Sequence, residues 1–69
     1  MQNIRQRLTP RELEVLKLLA KGNTRRDIGN HLNISVNTVK STLRTAYMKL
    51  GAGNKAEAVY ISMSLGLLK

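Results

Sequence analysis

Four polar residues recur at helical spacing in the middle of the chain. They are Asn37, Lys40, Ser41 and Arg44, at positions i, i+3, i+4 and i+7, so they would form one continuous stripe on an α-helix. The stripe would present two cationic donors, an amide that both donates and accepts, and a short hydroxyl. Such groups suit an acidic partner whose exposed edges carry hydrogen-bond donors and acceptors. The alternative is an ordinary solvated helix face, where charged residues commonly lie.

The stripe requires a helix, and the residues around it predict one over 36–50. Ser35 is a good N-cap because its hydroxyl can accept from the backbone N–H of Thr38. Gly51 can adopt the left-handed conformation of a C-cap without steric cost. At about 100° per residue, the apolar residues of this segment fall in one arc, which we expect to be buried: Val36, Val39, Leu43, Ala46, Tyr47 and Leu50.

Capping residues predict three more helices. Each predicted start carries a side chain that can accept a hydrogen bond from a backbone N–H of the first turn. Acidic residues three positions later, such as Glu12 and Asp27, can complete a capping box. The starts are Thr9, Thr24 and Asn54, which give helices over about 10–21, 25–32 and 55–64. We therefore predict an all-α domain of four helices over residues 8–69, preceded by a linker or flexible arm at residues 1–7.

A short turn joins the second and third predicted helices. Asn33 can adopt the left-handed conformation that a tight interhelical turn requires. Gly29 costs its helix about 1 kcal/mol relative to alanine, which makes sense if another helix crosses closely. Two helices joined in this way form a helix-turn-helix, whose second helix can lie in the major groove of DNA.

Composition narrows the class of partner. Twelve Lys and Arg residues against four Asp and Glu give a formal net charge of +8, so the expected partner is polyanionic, either nucleic acid or an anionic membrane surface. The chain has no cysteine and one histidine, which excludes a zinc site, disulfides and thiol catalysis. We expect no metal and no cofactor. Without a long apolar run or a signal peptide, we expect a cytoplasmic protein.

Three other classes fit less well. An enzyme would need a nucleophile–base pair or a carboxylate cluster, and the few scattered acidic residues do not form one. Binding of single-stranded RNA usually uses aromatic stacking, yet the chain has two tyrosines, no Phe and no Trp. A membrane-surface helix needs a broad apolar face, and the apolar faces here are required for packing. Double-stranded DNA is the expected partner.

Specific roles follow from residue chemistry. Lys40 and Arg44 can donate to guanine, Asn37 can pair with adenine, and Ser41 is short enough to let the helix approach the bases. Phosphate contacts should come from elsewhere, because they set register rather than read sequence; the N-terminus of the second helix is a favourable anion site. The candidate phosphate-contacting residues are Thr24, Arg25, Thr38, Lys49 and Lys55. Tyr47 and Met48 are expected to pack.

The fourth predicted helix is apolar on two sides. Ala58, Ile61 and Leu65 lie on one side, and Ala56, Val59, Tyr60 and Met63 on the other. A chain of this length can usually bury only one of them. The second side is therefore a candidate self-association surface, unless both sides pack within the monomer or one stays partly exposed.

Four segments resemble, in order and spacing, the DNA-binding domain of LuxR/NarL/GerE-type regulators. They read LTPRELEVLKLLAKG at 8–22, IGNHLNISVNTVK at 28–40, KLG at 49–51 and NKAEAV at 54–59. The resemblance implies a four-helix fold with the third helix in the major groove and a dimer contact on the fourth. The resemblance assigns base contacts to Lys40, Ser41 and Arg44, with Asn37 near the edge. It assigns contacts with the DNA backbone to Thr24, Arg25, Thr38 and Lys55. It assigns the dimer contact to Ala56, Tyr60 and Met63.

The resemblance also implies a role. It is typical of response regulators of two-component systems and of quorum-sensing regulators, so we expect a bacterial transcription regulator that binds DNA as a homodimer, with RNA polymerase as a further candidate partner. Sigma-factor region four is similar in its recognition helix, but it usually ends there. A protein-interaction adaptor that uses the basic surface is the other alternative.

Two residues depart from the family pattern that the resemblance implies. Many members have His at the position of Thr42, and Ala is usual at the position of Gly29.

Overall fold

The computed structural model describes residues 8–68 and confirms the all-α, four-helix prediction. Its helices are α1 (Pro10–Ala20), α2 (Arg25–Leu32), α3 (Val36–Leu50) and α4 (Lys55–Ser64). Helix α1 ends one residue earlier than predicted, because Lys21 is its C-cap. The predicted arm at residues 1–7 lies outside the described residues.

Local capping explains where the helices begin. Glu12 and Thr9 form a reciprocal capping box, with Thr9 N–H donating to Glu12 Oε1 at 2.9 Å and Glu12 N–H donating to Thr9 Oγ1 at 3.1 Å. Thr24 and Asp27 repeat the arrangement at the start of α2. Each box satisfies backbone donors that a helix start would otherwise leave unpaired.

Helix α3 is the central element, since it packs against each of the other three helices. Fully buried side chains come from α1, α2 and α3, and α4 adds Ala58 and Ser62. The chain after α4 folds back so that Leu68 is also buried. The largest fully buried apolar residues are Leu16, Ile28, Leu43, Val15 and Val39. Burial of one face of α3 fixes which residues its opposite face exposes.

Two apolar residues of α3 lie outside this core, contrary to the prediction. Val36 is 38% exposed because it lies in the first helical turn, at the end of the buried stripe. Met48 is 74% exposed. At about 100° per residue, Met48 lies nearly opposite the stripe formed by Val39, Leu43 and Ala46, so it cannot contact the core.

Helix α4 buries only one of its two apolar sides. Ala58 is buried, and Ile61 and Leu65 pack partly buried against the core. On the other side, Tyr60 is 72% exposed and Met63 is 60% exposed. The structure thus selects the first side as the internal one and leaves an apolar surface on the second.

Candidate nucleic-acid interface

The turn between α2 and α3 sets the position of the polar stripe. Asn33 has φ 59° and ψ 44°, which confirms the predicted left-handed conformation. The N–H groups of Asn33 and Ile34 both donate to the carbonyl oxygen of Gly29. These bonds close the last turn of α2 in the manner of a left-handed C-cap and send the chain directly into α3.

Gly29 permits the close approach of this turn to α2. A Cβ atom at Gly29 would lie 2.7 Å from the carbonyl oxygen of Ile34, well inside van der Waals contact. The neighbour that requires glycine is therefore the backbone of the turn, and not the body of a crossing helix as the sequence suggested. Helices α2 and α3 are held at a separation that a side chain at position 29 would increase.

The structure brings the four predicted base-contacting residues together on one exposed face. Asn37, Lys40, Ser41 and Arg44 are all exposed, on the side of α3 away from its buried stripe. Within residues 8–68, neither Lys40 nor Arg44 is in an ion pair. The stripe therefore presents two uncompensated cations between an amide and a hydroxyl.

Arg25 lies beside this stripe. With Lys40, Leu43, Arg44 and Tyr47 it lines a cleft of about 330 Å³ between the start of α2 and the middle of α3. The neighbouring N-cap, Thr24, uses its hydroxyl to accept the N–H of Asp27 at 3.0 Å. The start of α2 and the stripe on α3 thus form one continuous basic surface.

The capping box leaves a negative charge near this surface. Hydrogen bonds from the backbone N–H and then the hydroxyl of Thr24 hold the pKa of Asp27 below its usual range. The carboxylate is therefore ionised at neutral pH. Because it accepts from the N-terminus of α2, it offsets part of the positive potential that Thr24 and Arg25 would offer to a phosphate.

Thr38 and Thr42 are engaged within α3. Thr38 Oγ1 lies 2.9 Å from Ser35 Oγ, and the N–H of Thr38 donates to the same oxygen at 3.1 Å. Thr42 donates its hydroxyl to the carbonyl oxygen of Thr38 at 2.8 Å. Thr38 is exposed at the helix start, where a phosphate could be reached, but its hydroxyl already has a partner.

Lys49 lies on the opposite flank of α3 from Lys40. Its ammonium group donates to Glu12 Oε1 at 2.9 Å, in a pair whose side chains are 26% exposed for Lys49 and 8% exposed for Glu12. Burial opposes ionisation of Glu12, yet the hydrogen bonds from Lys49 and from the Thr9 N–H outweigh it and hold the pKa of this carboxyl below its usual range. Contact with a phosphate would compete with this internal partner.

Tyr47 has a feature that the sequence analysis missed. Its ring packs partly buried against the core, as predicted, but its hydroxyl oxygen is buried and has no hydrogen-bond partner among the described residues. Burial raises the pKa of this hydroxyl, while the nearby charge of Arg25 lowers it by less. Tyr47 stands three residues after Arg44 and seven after Lys40, a spacing that already placed it along the edge of the basic stripe.

The predicted dimer residues lie on a separate surface. Ala56, Tyr60 and Met63 are exposed on one side of α4 and line a shallow, mostly apolar depression of about 490 Å³ together with Lys55 and Ala20. Lys55, predicted to contact a phosphate, therefore lies next to the α4 surface and does not line the Arg25 cleft.

Residues 8–68 offer no candidate for two other classes of site. No group of three or more His, Asp or Glu residues is placed where it could hold a metal ion. No helix in this part of the chain is both long enough and apolar enough to cross a membrane.

Comparison with known sequences identifies clear relatives. A family model described as bacterial regulatory proteins, luxR family, matches residues 6–62. The transcriptional regulatory protein YdfI of Bacillus subtilis is 48% identical over 61 residues, which are 88% of this chain and 29% of that protein. The HTH-type quorum sensing-dependent transcriptional regulator RpaR of Rhodopseudomonas palustris is 45% identical over 65 residues, or 94% of this chain and 27% of that protein. The chain spans less than a third of the length of either relative.

Solved structures agree with the sequence relatives. The transcription factor GerE superimposes with a TM-score of 0.86 at 31% identity, covering 99% of this chain and 97% of that one. A chain of the phage VqmA–DPO complex superimposes with a TM-score of 0.81 at 40% identity, covering 87% of this chain and 28% of that one.

Proposed function

The chain is a helix-turn-helix domain of the luxR family of bacterial regulatory proteins, and we propose that it binds double-stranded DNA sequence-specifically, with α3 in the major groove. The observation that carries this proposal is the exposed stripe on α3, whose two cations have no acidic partner in residues 8–68. The major groove is about 12 Å wide and accepts one helix, so side chains on the outer face of α3 would meet base edges. The family is one of transcription regulators, not of enzymes.

Four residues of α3 are assigned to base contacts. Arg44 and Lys40 donate to O6 and N7 of guanine, and Asn37 pairs with N6 and N7 of adenine. Ser41 lies between them and is short enough for the backbone of α3 to approach the groove floor. All four are exposed on the face opposite the buried stripe, so base contact requires no rearrangement of the core.

Phosphate contacts are assigned to the flanks of this face. Arg25 and Thr24 lie at the start of α2, where free N–H groups favour an anion, and Thr38 lies at the start of α3. Lys55 stands at the start of α4. Lys49 is kept as a phosphate candidate, although it must exchange Glu12 for the phosphate.

We further propose that two copies pair through α4 on DNA. Tyr60 and Met63 are large apolar residues that a monomer exposes, and Ala56 beside them is small enough for close approach of a second helix. One recognition helix reads only a few base pairs, so pairing would extend the site to an inverted or direct repeat. Lys55 borders this surface, so pairing would bring like charges together, and a bound polyanion such as DNA would weaken that repulsion.

The relatives suggest the wider setting. Both are transcription regulators more than three times as long as the part that matches. We propose that this domain acts in the bacterial cytoplasm as the DNA-binding part of a response regulator or quorum-sensing regulator, in contact with RNA polymerase.

Titration of labelled duplex at several salt concentrations tests the proposal. Each phosphate contact should contribute about −0.9 to the slope of log K against log salt. No binding at about 50 mM salt would refute DNA binding, and binding with a slope near zero would refute the proposed phosphate contacts.

Two substitutions separate base reading from phosphate binding. Arg44→Ala should weaken binding to the preferred duplex by about 1 to 3 kcal/mol and leave binding to random duplex nearly unchanged. Arg25→Ala should weaken both duplexes by the same factor. Lys21→Ala, which removes one exposed cation at the end of α1, is the matched control. Equal losses for Arg44→Ala on both duplexes would contradict the base-reading role of the stripe.

A further inference from the structure

The hydroxyl of Tyr47 is an unusual group in this fold. Its oxygen has almost no exposed surface and no hydrogen-bond partner among residues 8–68, a property it shares there with Ser62 alone. Most buried polar side-chain atoms in proteins are paired, and an unpaired one destabilises the folded state. A packing role for Tyr47 would be met by phenylalanine without this cost, so the hydroxyl requires a separate explanation.

The cleft that Tyr47 lines contains hydrogen-bond donors and no side-chain acceptor besides that hydroxyl. Its polar lining residues are Arg25, Lys40 and Arg44, and Leu43 forms the apolar part. Arginine and lysine can only donate. The acidic residue at the start of α2, Asp27, accepts a hydrogen bond from Thr24 and does not line the cleft. The chemistry of this lining therefore suits a ligand that accepts hydrogen bonds and carries negative charge.

We propose that this cleft binds one backbone phosphate of the DNA duplex and that the Tyr47 hydroxyl donates a hydrogen bond to it. The inference rests on the proposed DNA binding and adds to it a contact on the flank of the recognition helix. Arg25 contributes the charge that neutralises the phosphate, while Lys40 and Arg44 form the α3 wall and extend onward to the bases.

The burial of the hydroxyl is compatible with this role. The polar walls of the cleft are long side chains, and Arg25, Lys40 and Arg44 are all exposed. In the proposed complex, extension of these side chains toward DNA would uncover the tyrosine hydroxyl, which would then contact a phosphate oxygen. Burial also raises the pKa of Tyr47, so the hydroxyl keeps its proton at neutral pH and remains a donor.

Tyr47→Phe tests the proposal by removing a single oxygen atom. The variant should bind preferred and random duplexes about tenfold more weakly than the wild type, by equal factors, since a hydrogen bond to a charged acceptor is lost. Its melting temperature should not fall. Ser62→Ala is the matched control, because it removes the other buried unpaired hydroxyl, on α4, and its DNA affinity should equal that of the wild type.

Phosphate substitution identifies the contact itself. Single methylphosphonates, which are uncharged, are placed along the preferred duplex. At one position the substitution should weaken binding of the wild type by a larger factor than binding of Tyr47→Phe, which keeps only the Arg25 contact there. Wild-type affinity in Tyr47→Phe, or a loss confined to one base sequence, overturns the phosphate contact and leaves the proposed DNA binding standing. A wild type that binds no duplex overturns both.

Discussion

The ion pair between Glu12 and Lys49 should lose different amounts of stability when one partner or the other is replaced. Lys49→Met removes the cation and leaves a carboxylate whose side chain is only 8% exposed, whereas Glu12→Gln leaves an ammonium group whose side chain is 26% exposed. The more exposed lysine can turn toward water when Glu12 is replaced, and the buried glutamate cannot when Lys49 is replaced. The glutamine retains an oxygen that can accept the Thr9 N–H. Lys49→Met should therefore destabilise the fold more than Glu12→Gln.

The expected sizes follow from this partial burial. Exposed pairs contribute about 0 to 1 kcal/mol, and removal of one partner from a buried pair costs about 3 to 5 kcal/mol. Because this pair is only partly buried, we expect a loss of about 2 kcal/mol for Lys49→Met and about 1 kcal/mol for Glu12→Gln. For a domain of this size, each kcal/mol lowers the melting temperature by about 4 to 8 °C.

Urea and thermal unfolding of the two variants and the double variant measure these differences. The exposed pair of Arg11 and Glu14, with side chains 49% and 52% exposed, provides the control. Arg11→Met should change the free energy of unfolding by less than about 0.5 kcal/mol. Equal losses for Lys49→Met and Glu12→Gln, or losses as small as the control, would refute the reasoning.

The same pair predicts a pH dependence. The pKa of Glu12 is lower in the folded chain than in the unfolded one, so its ionisation contributes stability above the unfolded pKa. That contribution disappears as pH falls through the folded pKa. The stability gap between wild type and Glu12→Gln should therefore be constant at neutral pH and narrow in acid, below about pH 4.3. Asp27, whose pKa is also lowered, is present in both proteins and cancels.

Three more predictions concern the α4 surface, the turn and the core. Tyr60→Glu places a charge on the apolar surface of α4 and should abolish dimers on a duplex with two half-sites. Sedimentation measures the number of protein copies on the duplex. A wild type that binds this duplex only as a monomer would contradict pairing through α4. Gly29→Val should lower the free energy of unfolding by about 2 kcal/mol, because the added Cβ would lie too close to the Ile34 carbonyl oxygen. An unchanged urea midpoint would contradict the close approach. Ser62→Ala should stabilise the fold by up to about 1 kcal/mol, and a clear loss would reveal a partner for its hydroxyl.

Helix boundaries could be predicted because capping is local. The side chains of Thr9, Thr24, Ser35 and Asn54 each accept from a backbone N–H three residues later, and that geometry needs no distant neighbour. The left-handed turn at Asn33 is local in the same sense. Exposure of the α3 stripe followed from the buried face opposite it, while the contacts of its residues with DNA stay predictions.

Tertiary structure decided what periodicity could not. Periodicity gives the direction in which a side chain leaves the helix axis. It does not say which neighbouring element packs against that side of the helix, or over what length of the helix the packing extends. Val36 and Tyr47 belong to the same predicted arc, yet Val36 extends past the core and Tyr47 reaches the cleft beside Arg25 with its hydroxyl buried. The pairing of Lys49 with Glu12 joins residues 37 positions apart. Only the packing of α1 against α3 brings those two charges within 2.9 Å, because no local rule relates residues so far apart in the chain.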